Sequence, residues 1–370
     1  MSNLIIEVCK IEKIKPHSNA NKLSLVQIKK WQCVVGKDEY KEGDKIIFIP
    51  PDALIPDELA EKLNIKNYLA GKEKNRVKQI KLRGEMSYGL IIPNIGNWKV
   101  GYDCSKDLGI IKYEPPVRMG ISDAAPEDPF FPKMEEVQNI RNYPDIYKEG
   151  QMVAVTEKLD GSNFRISIGP INEITNIPQE CYPLNEDYTE FAIWKAGSHK
   201  VNRKRPETLE EMKKNIYWFP YLEDPVYNLL ENLILYWKYK SVILFGEIFG
   251  EGISGGSKSL NYGVKKGLDY RAFGLSIDGK RICYKQFIDY CKIFNVKTVP
   301  LIKIIPYNFE EIEKLSTGLS YLADENGASH MREGVVIHSY EDEKLPSLKC
   351  LNPDYLLLKE KGIVPDFKDE

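Results

Sequence analysis

Along the first hundred residues the apolar positions fall in short runs divided by turn residues. Leu4–Cys9, Leu23–Lys29, Cys33–Val35, Lys45–Ile49, Val77–Lys81 and Gly89–Ile92 are β-type runs, and Gly36, Gly43-Asp44, Pro50-Pro51 and Gly84 punctuate them. Several such runs in succession predict a small closed β-barrel. The composition then shifts to "YEPPVRMGISDAAPEDPFF" (Tyr113–Phe131), rich in Pro, Ala and Asp, which reads as a connection. Beyond it, strand-like segments at Met152–Glu157, Phe164–Ile168, Val242–Ile248, Tyr270–Ile277 and Gly334–His338 mix with helix-period segments at Leu209–Ile216, Pro225–Tyr239, Tyr284–Phe294 and Phe309–Ser316. The expected class is α+β with largely antiparallel sheets, divided into residues 1–112, a linker at 113–130 and a larger domain at 131–370.

Composition narrows the function classes. With 42% hydrophobic and 29% charged residues the chain is a folded one, neither disordered nor fibrous. Its net charge of −2 hides an asymmetry: residues 1–115 hold 20 Lys/Arg against 15 Asp/Glu, so the front is basic and the remainder acidic. Within Lys66–Arg83 seven basic residues face one acid, Glu73. That strip suits either a solvated loop or phosphate contacts, with Lys78, Lys81 and Arg83 as candidate RNA-binding residues. Seven cysteines without a CxxC pair fit reduced thiols rather than a disulfide frame or zinc site. No apolar run of about 18 residues predicts a membrane span and no signal peptide is evident, so a cytoplasmic protein is expected.

The candidate chemistry lies in charges embedded in apolar strands. "VTEKLDGSNFR" (Val155–Arg165) carries Lys158 and Asp160, "ILFGEIFGEG" carries Glu247, "MREGVVIHS" carries Glu333 and "SLKCLNPDYL" carries Lys349. Each such charge costs stability unless it is paired or bound to a ligand. Four such segments in one domain argue for a site. A lone K-x-D-G is weak, since it arises by chance in roughly one chain in twenty of this length. An amine nucleophile must be neutral, and nearby carboxylates raise the pKa of Lys158, the wrong direction. A divalent cation bound nearby would reverse that field.

Two resemblances follow from these stretches. "IKPHSNANKLSLVQI" (Ile14–Ile28), "EGDKIIFIPPDALIP" (Glu42–Pro56) and "KLRGEMSYGLIIP" (Lys81–Pro93) resemble the OB-fold module of tRNA-binding domains and certain RNA ligases. The ordered series K-x-D-G, G-E in a strand, the aromatic strand "YRAFGLSIDGK", E-G-V-V-I and a lysine-bearing strand resembles the covalent nucleotidyltransferase superfamily of DNA ligases, RNA ligases and capping enzymes. The resemblance implies Lys158 as the nucleophile on the nucleotide α-phosphate, Asp160 and Glu333 at the metal, and Glu247 at the ribose or metal. It further implies Phe273 stacked on the base, Glu157 at the adenine edge and Lys349 on a phosphate.

Asn163, five residues after the nucleophile, matches RNA ligases of the G-x-N-F type, where many DNA ligases carry arginine; it joins the cofactor-binding set. With "FFPKMEEVQNIRNY" (Phe130–Tyr143) and the OB module placed first, the chain is similar to the fifth family of ATP-dependent RNA ligases. That resemblance implies an N-terminal OB-fold barrel, an antiparallel nucleotidyltransferase domain, ATP, and Mg2+ or Mn2+. It implies as substrate RNA with 3′-OH and 5′-phosphate ends, a nicked duplex being one form, joined through lysyl-AMP and RNA-adenylate in RNA repair, with an end-healing partner left open. Two departures stand out. Leu351 replaces a second lysine of the fifth motif, for which Lys359 or Lys361 is a candidate substitute. His199 stands where arginine is expected in "KAGSHKVNRK", with Arg203 as a substitute RNA contact. A DNA ligase, and a non-catalytic OB-fold RNA binder, remain the alternatives.

Overall fold

The structure is a computed structural model that describes residues 4–114, 123–171, 180–253 and 261–361. Residues 115–122 of the expected linker lie outside the described residues. The chain divides into two compact units, one formed by Met1–Pro115 with Gln138–Ile146 and the other by Pro116–Val137 with Tyr147–Glu370. The nine residues 138–146 therefore cluster with the first unit, although a boundary at residue 130 groups them with the second.

The first unit is built from short antiparallel strands. β1 (Glu7–Lys10), β5 (Lys45–Ile49) and β9 (Leu90–Pro93) form one sheet in the order β1-β5-β9, and β2 (Lys13–Pro16), β3 (Leu23–Ile28) and β4 (Trp31–Gly36) form a second. β6 (Ala53–Leu54) pairs β10 (Ile111–Lys112), with helix α1 (Asp57–Lys62) following β6. Two apolar clusters fill the unit, one around Val8, Ile47, Ile49 and Ile92 and one around Val26, Ile28, Trp31 and Phe48. β7 (Ile80–Leu82) and β8 (Glu85–Ser87) make a hairpin through Arg83-Gly84, both at positive φ, the geometry of a two-residue turn matched to strand twist. His17 and Asn19 bond the carbonyls of Leu82 and Arg83 and hold this tip. Arg141 is buried here, its guanidinium 4.8 Å from the Tyr88 ring centroid; β12 (Gln138–Asn139) precedes it.

The second unit has a large antiparallel sheet. Its order is β11 (Ala124–Ala125), β17 (Asn202–Arg203), β16 (Phe191–Gly197), β14 (Ser162–Pro170), β18 (Val242–Gly250), β19 (Leu268–Ile277) and β20 (Lys280–Arg281), with β15 (Tyr182–Pro183) on β16. Helices α2 (Leu209–Lys214), α3 (Asp224–Leu235) and α4 (Tyr284–Phe294) bring Met212, Val226, Leu229, Leu233 and Phe287 into one core with Phe164, Trp194 and Leu244 of the sheet. A further sheet runs β21 (Leu301–Pro306), β13 (Met152–Lys158), β22 (Gly334–Ser339) and β23 (Leu348–Leu351). α5 (Phe309–Ser316) and α6 (Tyr321–Glu325) lie between β21 and β22 in the chain, and α7 (Pro353–Glu360) follows β23. α3 stops at Leu235, four residues before the sequence pattern does. Lys238 adopts a left-handed φ of 60° and the Tyr239 N–H turns back to the Leu233 carbonyl, which closes the helix. No described helix is long and apolar enough to cross a membrane.

Candidate active site

Lys158 ends β13, and the next three residues turn the chain into β14. Across β13 the partner of Lys158 is Gly334, which places the preceding Glu333 beside the amine. Lys158 Nζ donates to Glu333 Oε2 at 2.8 Å, and Glu333 is only 8% exposed. Gly334 has φ 153°, and a Cβ there would collide with the Cys350 carbonyl oxygen on β23. Only glycine lets the strand carrying Glu333 approach the strand carrying Lys349 so closely. At the turn, Gly161 packs against the Ile248 carbonyl with no room for a Cβ. Its N–H donates to Glu247 Oε1 at 3.0 Å, so the carboxylate on β18 grips the turn that follows Lys158. Asn163 is the cross-strand partner of Glu247, its Nδ2 3.5 Å from Glu247 Oε2.

These residues line a cavity of about 270 Å³ within the second unit. Phe273, Val299 and Val336 give it apolar walls, while Lys349, Lys359 and Lys200 supply cations. Burial alone pushes the Lys158 ammonium down, but Glu333, Glu247 and Asp160 together hold it well above its ordinary value. Burial, reinforced by Glu333 and Asp160 and opposed by Lys158, pushes the Glu247 carboxyl up to about 8. Three acids thus act on one half-buried amine, with Glu333 in direct contact. Among the described residues no three His, Cys, Asp or Glu side chains are gathered for a metal ion. The oxygen donors of Asp160 and Glu333 fit a hard divalent ion that takes one or two carboxylates and completes its shell with phosphate and water.

The remaining expected residues divide cleanly. Glu157 is 1% exposed; its Oε2 accepts from the N–H groups of Tyr321 and Leu322 at 2.9 and 3.1 Å, and its buried Oε1 has no hydrogen-bond partner. Burial pushes its carboxyl up, opposed by these donors. Phe273 and Lys349 line the cavity, Lys349 3.7 Å from Glu136. Lys78, Lys81 and Arg83 lie in the first unit, on and beside the β7 hairpin, with Lys81 and Arg83 exposed. Arg203 is not brought to the cavity: it is buried, pairs with Asp123 at 2.7 Å and lies 4.3 Å from the Tyr217 ring centroid. His199 and Lys200 line the cavity instead. Leu351 is not on the lining, whereas Lys359 of α7 is.

Sequence reasoning passed over Thr156, Arg281 and His338, which also line the cavity. Strand period offers a signal for two of them, since Thr156 shares a face with Lys158 and His338 with Val336. His338 bonds the hydroxyls of Thr156 and Ser347 at 3.1 and 2.8 Å. Burial, with Arg281 adding repulsion, pushes its imidazole down to about 3 from an ordinary 6.5. Below pH 6.5 the unfolded chain accepts a proton that the folded state refuses, so the stability due to neutral His338 is present above that pH and is lost as pH falls toward 3. The melting temperature is expected to drop between pH 6.5 and 4, and His338→Gln to flatten the decline by on the order of 1.4 kcal/mol per pH unit. An equally steep decline in the variant would assign the acid sensitivity elsewhere.

Comparison with known proteins gives this geometry a family. A model of an OB-fold domain matches residues 5–94, and the RNA ligase family model matches residues 151–351. Among solved structures, Naegleria gruberi RNA ligase with PPi is 22% identical, with a TM-score of 0.70 over 97% of this chain and 99% of that one. A variant of that ligase with ATP and Mn is 23% identical, with a TM-score of 0.70 over 96% of this chain and 98% of that one. Another variant, with AMP and Mn, is 23% identical, with a TM-score of 0.72 over 96% and 98%. No curated protein matches. With the family model covering more than half of its length, including the strands that hold Lys158, Glu247, Glu333 and Lys349, the chain belongs to the RNA ligase family.

Proposed function

We propose that the protein is an ATP-dependent RNA ligase that joins 3′-OH and 5′-phosphate RNA ends in repair, through lysyl-AMP and RNA-adenylate intermediates. The observation that carries this reading is Lys158 Nζ, held 2.8 Å from Glu333 in a cavity that combines an aromatic wall with cationic residues. Phe273 and Val336 form the surfaces for the base, and the unpartnered Glu157 Oε1 is a buried acceptor for an amino group at its edge. Glu247 keeps the turn after Lys158 fixed and faces the ribose. Lys349 and Lys359 stabilise phosphate charge, Lys359 supplying the cation that Leu351 does not.

In the first step Lys158 Nζ releases a proton to solvent, the neutral amine forms a bond to the α-phosphorus, and the bond to pyrophosphate breaks as pyrophosphate leaves. Asp160 and Glu333 would hold a divalent ion, whose positive charge would offset the carboxylates and the triphosphate. The RNA 5′-phosphate then displaces Lys158 from AMP, and the 3′-OH displaces AMP from the activated end. Positioning and cationic stabilisation supply most of the catalysis in such phosphoryl transfers, so the site needs no histidine base.

The test is transfer of α-label to the protein. Label is expected from ATP but not GTP, only with Mg2+ or Mn2+, and is discharged by RNA bearing a 3′-terminal ribose. Labelling that survives full chelation overturns the metal assignment, and sealing of 3′-deoxy ends as fast as ribose ends favours a DNA ligase. The RNA strand is assigned to the exposed side of the β7 hairpin. Reversing the charge of Lys78, Lys81 and Arg83 together is expected to slow sealing and to flatten its log–log salt dependence by roughly 0.7 to 0.9 per lost phosphate contact. An unchanged slope removes these three residues from the RNA interface.

A further inference from the structure

The structure assigns a positioning role to Tyr355 of α7: we infer that it fixes the Asp160 carboxylate relative to Glu333 for nucleotide transfer. The inference rests on the ligase reading of the site and concerns a residue given no role above, six positions beyond Lys349 in the stretch "SLKCLNPDYL". Tyr355 is 1% exposed, and its hydroxyl donates to Asp160 Oδ2. The Asp160 N–H in turn donates to the hydroxyl of Tyr262 at 2.8 Å. Asp160 is thus held at both its backbone and its side chain.

The start of α7 is tied to the other carboxylate. Asn352 caps the helix, accepting from the Asp354 N–H at 3.0 Å. Its own N–H donates to the Glu333 carbonyl at 2.8 Å and its Nδ2 to the Arg332 carbonyl at 2.9 Å. Less than one helical turn separates Asn352 from Tyr355. One rigid segment therefore anchors the backbone of Glu333 and the carboxylate of Asp160. The loop bearing Tyr262 is fixed in the same manner, because Asn326 Nδ2 donates to the Tyr262 carbonyl at 2.7 Å.

The residue type matters. A lysine or arginine in place of Tyr355 would orient Asp160 but neutralise it, competing with any cation the carboxylate serves. A phenol is a neutral donor. It occupies Oδ2 and leaves the negative charge and Oδ1 for the metal shell or nucleotide. The buried phenol also needs an acceptor of its own, which Asp160 supplies.

The test is a double-mutant cycle in the full chain, read in two ways. In a Lys158→Ala background, where no covalent step intervenes, calorimetry measures Mn–ATP affinity; with Lys158 intact, single-turnover labelling measures the adenylation rate. Tyr355→Phe is expected to weaken Mn–ATP binding and slow adenylation by about tenfold each. Added to Asp160→Asn, which has the larger effect, it should cost nothing further. Leu358→Ala, which removes a side chain packed against Tyr355 without touching the hydroxyl, should leave Mn–ATP affinity unchanged. Independent multiplication of the Tyr355 and Asp160 effects, or the same loss from Leu358→Ala, reduces Tyr355 to a packing residue and overturns the inference. Absence of any lysyl-AMP in the unmodified protein overturns the ligase reading instead, while the binding cycle still decides the role of Tyr355; no measurable Mn–ATP binding overturns both.

Discussion

Lys158→Ala is expected to abolish label transfer from ATP to the protein, with residual adenylation lower by on the order of 10⁴-fold or more. In the proposed mechanism this amine forms the covalent bond to the nucleotide. Glu333, Glu247 and Asp160 are acceptors, and Lys349 lies on a different strand, where it contacts Glu136 at 3.7 Å. Lys158→Arg should be equally inactive, because a guanidinium is protonated throughout the accessible pH range and its planar fork cannot take the place of a primary amine. If Lys158→Ala still accepts label at a rate near that of the unmodified protein, the nucleophile lies elsewhere and the site loses its central residue. Sealing of RNA that already carries a 5′-adenylate bypasses this first step, and the variant should retain a measurable part of it.

Glu333→Gln separates two explanations of why an acid sits 2.8 Å from the nucleophile. The carboxylates hold the Lys158 ammonium well above its ordinary pKa, against the downward pull of burial. Removing one negative charge lowers that pKa and enlarges the neutral fraction at pH 7. Were proton retention the only role of Glu333, the variant would adenylate faster at neutral pH, and its rate would level off at lower pH than that of the parent. The proposed role predicts the opposite sign: loss of a metal ligand should slow adenylation by about 10²-fold at every pH, with the deficit reduced at high Mn2+. The measurement is the pH profile of single-turnover labelling at two Mn2+ concentrations. A faster variant at pH 7 would falsify the metal assignment of Glu333.

Much of this arrangement was legible because charge is expensive in a strand. Lys158, Glu247, Glu333 and Lys349 stand out against their apolar neighbours, and the structure brings all four to one cavity. The amphipathic stripes of α4 and α5 likewise gave their limits, Tyr284–Phe294 and Phe309–Ser316, residue for residue. What was missed depends on partners distant in sequence. Tyr355 and Tyr262 are 195 and 102 residues from Asp160 along the chain, and a buried tyrosine looks the same in sequence whether its hydroxyl meets a catalytic carboxylate or a structural carbonyl. Arg203 shows the converse. A basic residue in a basic loop suggests phosphate, yet its partner Asp123 is 80 residues upstream. β16 and β21, with the runs "FAIWKAG" and "LIKIIP", lie outside the strand-like segments read from the sequence. β7 was placed early because Val77 has a strand-like side chain but gives its backbone bonds to Asp52 and Ala53 instead.

The glycine after Glu333 ties the chemistry to the alignment of three strands. Lys158 stands opposite Gly334, and Gly334 stands opposite Leu351, two positions from Lys349. Lys158, Glu333 and Lys349 are therefore spaced by backbone ladders, not by flexible loops. A shift of one residue in β22 would turn Glu333 to the opposite face of the sheet while leaving composition and hydrophobicity untouched. A change of length inside β22 is accordingly far more damaging to the reaction than one in the connection between β22 and β23. The reactive geometry is stored in strand alignment, where single substitutions seldom reach it and a single insertion erases it.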